Sequence, residues 1–184
     1  GDLRTLHRNT QRVARIAQSL LSFARQSPTE RTSVDLNHVV EQTLLLVEKP
    51  MTTDGIRITT ALDRTLPAVS GDPGALQQVL LNLLTNAHDA MEGGGEIRIE
   101  TGPSPGRPGW LRLIITDTGF GISPEHLPKI FDPFFTTKPD GTGLGLSVSY
   151  GIIQDHRGTV DVQSELGKGT TFILSFPALE GGAV

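Results

Sequence analysis

The stretch from Asp72 to Gly95 restricts this chain more than any other. Asp72-Pro73 is a strong N-cap and first-turn pair, and the helix it opens runs to about Met91 before Gly93-Gly94-Gly95 stops it. Leu76, Val79, Leu80, Leu83, Ala87 and Ala90 form a broad apolar face that has to be buried. Asn82, Asn86 and Asp89 fall within about 60° of one another on a different face. Asparagine is an indifferent helix former, so two of them one turn apart need a reason. A solvated edge is one reading. The other is a row of carbonyl oxygens for a hard cation such as magnesium, which prefers oxygen ligands and shares them with phosphates. On this helix alone both readings stand.

The flanking segments supply the layers that bury such a helix. Residues 36–49 carry a helical pattern through Val39, Val40, Thr43, Leu44 and Val47, and residues 56–62 alternate like a half-buried strand. Strands are expected at about 96–101 and 110–116, a helix at about 143–156, and strands at about 159–164 and 170–176. Residues 118–142 read as irregular, with six Gly and Pro between Gly119 and Pro139. Neighbouring strand pairs with helices between them predict an α+β fold: a two-layer α/β sandwich, with one mixed sheet and helices on a single face. Long parallel alternation is absent, which disfavours a doubly wound fold. Ahead of this unit, residues 2–26 read as one long helix. Its stripe of Leu3, Leu6, Thr10, Val13, Ala17, Leu20 and Ala24 is widened by Ile16, Leu21 and Phe23. A lone helix cannot bury such a stripe, so it is expected to pack in a hairpin or bundle. The divisions expected are helix 1–26, linker 27–33, main domain 34–178 and tail 179–184.

Composition removes several function classes. A length of 184 residues suits one domain plus an appendage. A net charge of −4, one Tyr, one Trp and scattered Arg and Lys argue against a nucleic-acid surface. With no cysteine there is no disulfide, thiolate metal site or Cys nucleophile, and the five His are too dispersed for a zinc site. No run approaches the roughly 20 apolar residues that cross a bilayer, and no signal segment opens the chain. A cytoplasmic domain without membrane contact is expected, with room for a membrane-anchored parent.

Two glycine-bearing segments add chemistry. Asp117-Thr118-Gly119-Phe120-Gly121-Ile122 follows the apolar strand Leu111–Thr116. A carboxylate at the end of a buried strand can accept a hydrogen bond from an exocyclic amine, and Gly119 and Gly121 let backbone approach a flat ring. A plain strand-to-loop turn would look the same. Gly141-Thr142-Gly143-Leu144-Gly145-Leu146-Ser147 opens the last helix, where exposed N–H groups and the helix dipole suit phosphate. No Gly-Lys-Ser/Thr follows, so this is not a P-loop. Between them lies Phe131-Asp132-Pro133-Phe134-Phe135-Thr136-Thr137-Lys138, whose phenylalanines fit core packing and whose Lys138 could reach a phosphate.

Taken in order, Asn82–Met91, Asp117–Ile122, Phe131–Lys138 and Gly141–Leu146 resemble the N, G1, F and G2 boxes of sensor histidine kinases. Gly167-Lys168-Gly169-Thr170-Thr171-Phe172 looks like the closing box. The resemblance covers about residues 34–178 and is greatest to kinases of the nitrogen- and dicarboxylate-sensing type, whose F box also reads PFFTTK. It implies the Bergerat fold shared with gyrase-like ATPases, with ATP and magnesium as cofactors. Asp117, helped by Thr170, would pair with the adenine amine. Asn86 with Asn82 would hold magnesium, and Asp89, Gly119, Gly121 and Phe134 would border the nucleotide. The turn Gly141, Thr142, Gly143, Leu144, Gly145 and Leu146 would cradle phosphate. Lys138 and Asn82 would serve the transfer, and residues 123–142 would form a lid.

Arg12–Arg25 looks like the second helix of that family's dimerisation and phosphoacceptor hairpin. His7 lacks the acidic neighbour and the following Pro of an acceptor box, so the phosphorylated His is expected on a helix that this sequence does not contain. His88 and His126 read as site-edge and loop residues. The implied activity is a protein-histidine kinase that forms a homodimer through the hairpin and passes the phosphoryl group to the receiver domain of a response regulator. Hydrolytic ATPases, other protein kinases of the same fold and a non-catalytic nucleotide-binding module are the alternatives. Against hydrolysis, Asn82 stands where the ATPases carry their water-activating Glu, and an amide is no general base.

Overall fold

The computed structural model describes residues 31–139 and 141–179. The expected helix over 2–26 lies outside these residues, as do His7 and the tail from residue 180. In chain order the elements are β1 (Thr32–Val34), α1 (Leu36–Thr53), β2 (Ile56–Leu62), β3 (Val69–Gly71) and α2 (Pro73–Asp89). There follow β4 (Gly95–Pro103), β5 (Trp110–Asp117), a 3₁₀ turn (Leu127–Lys129), α3 (Gly145–Asp155), β6 (Thr159–Glu165) and β7 (Gly169–Pro177). Strands β2-β4-β5-β7-β6 form one sheet in that order. Only the β2–β4 pair is parallel, so the sheet is mixed as expected.

Period-two alternation sets which face is buried. Ile97 and Ile99 of β4, Leu111, Leu113 and Ile115 of β5, and Phe172, Leu174 and Phe176 of β7 all lie within the core. They meet Val39 and Val40 of α1, Leu76, Val79, Leu80, Leu83 and Leu84 of α2, and Ile153 of α3. The opposite face of the sheet carries Arg57, Glu96, Arg98 and Glu100, in ion pairs such as Arg57–Glu96 at 2.9 Å. Among the described residues no helix is long and apolar enough to cross a membrane.

Two local features differ from the sequence pattern. Helix α1 continues through Pro50 to Thr53, although the apolar pattern ends at residue 49. Met51 beyond the proline is 4% exposed. Burying a methionine is worth about 1.5–3 kcal/mol, comparable to the cost of a proline inside a helix, about 3 kcal/mol. Strands β1 and β3 pair with Val34 opposite Val69, both buried, so Thr32 and Ser33 at the end of the expected linker belong to a small second sheet.

Helix α2 is anchored at both ends. Asp72 caps it through Oδ1, which accepts from the N–H of Gly74 at 2.8 Å. The Asp72 N–H donates to Nε2 of the buried His156 at 2.9 Å, while Nδ1 of the same ring lies 2.7 Å from the carbonyl of Ile152. An N–H donor on Nε2 fixes the tautomer: Nδ1 carries the proton and donates to Ile152. At the far end, His88 Nε2 meets Asp54 Oδ2 at 2.8 Å, and that contact holds its pKa above the usual value.

Candidate nucleotide site

Asp117 is the last residue of β5, and alternation aims it the same way as Leu111, Leu113 and Ile115. A carboxylate thus continues a core row. It pairs in register with Ile97 on one side and Thr170 on the other, and Thr170 is in turn opposite Ser164 of β6. Asp117 Oδ1 accepts from the N–H groups of Gly119 at 2.8 Å and Thr170 at 3.3 Å. Both bonds go to one oxygen, and among the described residues Oδ2 has no hydrogen-bond donor. Burial, at 5% exposure, pushes the carboxyl pKa up, and the two N–H groups pull against that shift. The Thr170 hydroxyl lies 2.9 Å from Ser164 Oγ, which also meets the N–H of Ile122 at 2.7 Å. Ser164 is a site-edge residue that the sequence reading passed over; its only signal is its register opposite Thr170.

The glycines after Asp117 are required by close contacts. A Cβ on Gly119 would stand 2.6 Å from that of Ala90, and one on Gly121, whose φ is +75°, would stand 2.2 Å from the carbonyl oxygen of Glu165. Phe120, between them, is exposed, and its N–H donates to the carbonyl of Ala90 at the end of α2. The turn after β5 therefore lies directly against the end of the asparagine helix.

On α2 the expected polar row is present, but its members have different partners. Asn86 Oδ1 and Asp89 Oδ2 converge on one ammonium: Lys138 Nζ lies 3.3 Å from the first and 2.8 Å from the second. Asn82 faces α3. Its Nδ2 lies 3.1 Å from both the carbonyl of Gly145 and Ser149 Oγ, and its Oδ1 accepts from Gln78 at 3.1 Å. Sequence reasoning missed Gln78, which lies one turn before Asn82 on the same helix, and Ser149, which only the packing of α2 on α3 brings to Asn82.

The phosphate-type turn lies between these groups. Gly143 has φ +68°, a left-handed value that a side chain resists, and a Cβ there would stand 2.3 Å from the Phe134 carbonyl carbon. The Gly143 carbonyl accepts from the N–H of Phe134, itself at φ +68°, at 2.8 Å. A non-glycine residue in this region is uncommon and costly, and the Phe134 side chain is exposed. Gly141 packs on Thr136, and the N–H of Leu144 lies 3.4 Å from Thr142 Oγ1. Phe131 and Phe135 pack against the core, as the sequence reading of their apolar rings expected. A volume of about 550 Å³ opens beside Asp89, Met91, Gly93 and Lys138.

The residues present fit an adenine nucleotide with a divalent cation. A carboxylate on a buried strand end, with one oxygen held by two N–H groups and the other free of donors and open to solvent, suits a base carrying an amine. Two oxygens of α2 that already gather a cationic group form a donor set of the kind magnesium takes.

Residues 71–180 match the family described as histidine kinase-, DNA gyrase B-, and HSP90-like ATPase. The chain is 38% identical over 166 residues to the sensor histidine kinase ZraS of Escherichia coli (strain K12), across 90% of this chain and 35% of ZraS. It therefore spans about a third of that relative's length. The catalytic domain of histidine kinase ThkA superposes with a TM-score of 0.73 at 33% identity, covering 82% of this chain and 97% of that domain. ThkA in complex with the response regulator protein TrrA gives a TM-score of 0.75 at 27% identity, covering 100% of this chain and 54% of that one. Full-length ShkA in complex with AMPPNP gives 0.77 at 31% identity, over 90% of this chain and 35% of ShkA.

Proposed function

This chain belongs to the histidine kinase-, DNA gyrase B- and HSP90-like ATPase family, as an ATP-binding catalytic domain of the sensor histidine kinase kind, and on that premise we propose how its residues work. The observation that carries the reading is Asp117, a buried carboxylate with one oxygen held by two N–H groups and the other left to accept from the adenine amine. Gly119 and Gly121 give the base its close approach. Asn86, with Asp89 beside it, would hold magnesium, which would supply charge neutralisation at the phosphate oxygens. The Gly141–Leu146 turn receives phosphate through N–H groups at the start of α3. Lys138 leaves Asn86 and Asp89 for the nucleotide's phosphates, and residues 123–142 close over them.

In the whole protein, the bond between the β–γ bridging oxygen and the γ-phosphorus breaks, and a new phosphorus–nitrogen bond forms on a neutral histidine, with ADP as leaving group. The acceptor is a histidine other than the five in this sequence. Residues 1–26 would belong to the hairpin that presents it, and the linker from residue 27 would end before Thr32, where β1 already forms part of the catalytic unit. The product is relayed to an aspartate of a response regulator in the cytoplasm. ShkA was solved with AMPPNP and ThkA with a response regulator protein, which supports both ligand and partner for a chain of this kind.

Calorimetric titration with ADP tests the site. Binding is expected with magnesium and weaker binding in chelator, and Asn86→Ala should remove most of the difference between them. No heat with millimolar ADP would refute the nucleotide site, and equal loss for Asn86→Ala in both buffers would refute the metal assignment.

A further inference from the structure

Asn82 and Asn86 look interchangeable in sequence, one helical turn apart, yet their surroundings differ. Asn86 offers its oxygen to an ammonium. Asn82 spends both amide hydrogens on α3, one toward the Gly145 carbonyl and one toward Ser149 Oγ, each at 3.1 Å. Its oxygen accepts from Gln78 at 3.1 Å. The Ser149 hydroxyl, on a residue 1% exposed, itself donates to the Gly145 carbonyl at 2.9 Å. Rotating the Asn82 amide to free its oxygen would aim that oxygen at the Gly145 carbonyl, acceptor against acceptor.

The start of α3 gives this clamp a purpose. The residue at its N-cap is Leu144, which has no side-chain acceptor for the first-turn N–H groups. Those groups stay open, as a phosphate receptor requires, but an uncapped helix start is also poorly held. Asn82 holds it from outside, through a carbonyl, without occupying any of the N–H groups. A Cβ on Gly145 would meet Asn82 Cγ at 3.8 Å, an ordinary van der Waals contact.

We propose that Asn82 is a positioning residue, whose carboxamide clamps the first turn of α3 to α2 and so fixes the Gly143–Gly145 backbone for phosphate. It acts through that backbone and is not a magnesium ligand. The proposal rests on the nucleotide-binding reading above.

Asn82→Asp separates the roles, because it keeps an oxygen for a metal and loses the donor for Gly145. ADP affinity should fall about tenfold, the scale of one lost buried hydrogen bond, by the same factor with magnesium and with chelator. Ser149→Ala should show a smaller loss of the same kind, and it keeps the test open should Asn82→Asp not fold. Hydrogen exchange at residues 148–152, the first bonded N–H groups of α3, should quicken in both variants, a readout that does not need ADP. If the unaltered chain fails to bind ADP, the nucleotide reading falls, while the exchange data still judge the clamp. Undiminished or stronger magnesium-dependent binding by Asn82→Asp would overturn the proposal. So would Ser149→Ala with unchanged ADP affinity, or unchanged exchange at 148–152.

Discussion

Leu111, Leu113 and Ile115 face the core from β5, and the next inward position is Asp117. A carboxylate there is kept at a cost, since burial raises its pKa against the pull of the Gly119 and Thr170 N–H groups. In the folded chain the acid therefore holds its proton more tightly than in the unfolded chain. Stability falls as pH rises from the ordinary carboxylate range near 4 through the raised value, and the loss persists at neutral pH. Asn at this position can still accept both N–H bonds through its oxygen without being charged. Asp117→Asn should match or exceed the parent's melting temperature at pH 7 without nucleotide, with the difference shrinking as pH falls toward 4. A variant clearly less stable at pH 7 would mean that the charge itself supports the fold.

At the scale of elements, what could be read from the sequence follows from periodicity. Helix α2, the five strands of the main sheet and the start of α3 all carry a repeat of 3.6 or 2, and each was legible within a few residues. Strands β1 and β3 were not, because three residues are too few to establish a period. The end of α1 was hidden because Pro50 argues locally for a stop while the burial of Met51 is a tertiary fact. The site divides in the same way. Asp117 and the glycine turns follow from sequence order, whereas Asn82 meets Ser149 only once α2 packs on α3, and Thr170 meets Ser164 only through the register of β6 on β7. His156 is another such attachment: it joins the end of α3 to the cap of α2, and it drew no notice as a dispersed histidine. His156→Ala leaves a backbone N–H of Asp72 without its partner, and should cost about 1–3 kcal/mol in chemical denaturation. A loss near zero would show that α2 does not depend on this anchor.

Across the whole molecule, the mixed sheet and its single helical layer bring together groups from distant parts of the sequence. The β5 end supplies Asp117, α2 supplies Asn86 and Asp89, and the segment before α3 supplies Lys138 and the glycine turn. The central claim is that this assembly reads an adenine amine through Asp117, and comparing ADP with inosine diphosphate tests it directly. Inosine carries a carbonyl where adenine carries the amine, so it should face the Asp117 carboxylate acceptor to acceptor. Calorimetry on the unaltered chain with magnesium should give at least about tenfold weaker binding for inosine diphosphate, the scale of one unmade buried hydrogen bond. Asp117→Asn should weaken ADP and close most of that gap. Equal binding of the two nucleotides by the unaltered chain, or an undiminished preference for ADP in Asp117→Asn, would contradict the account.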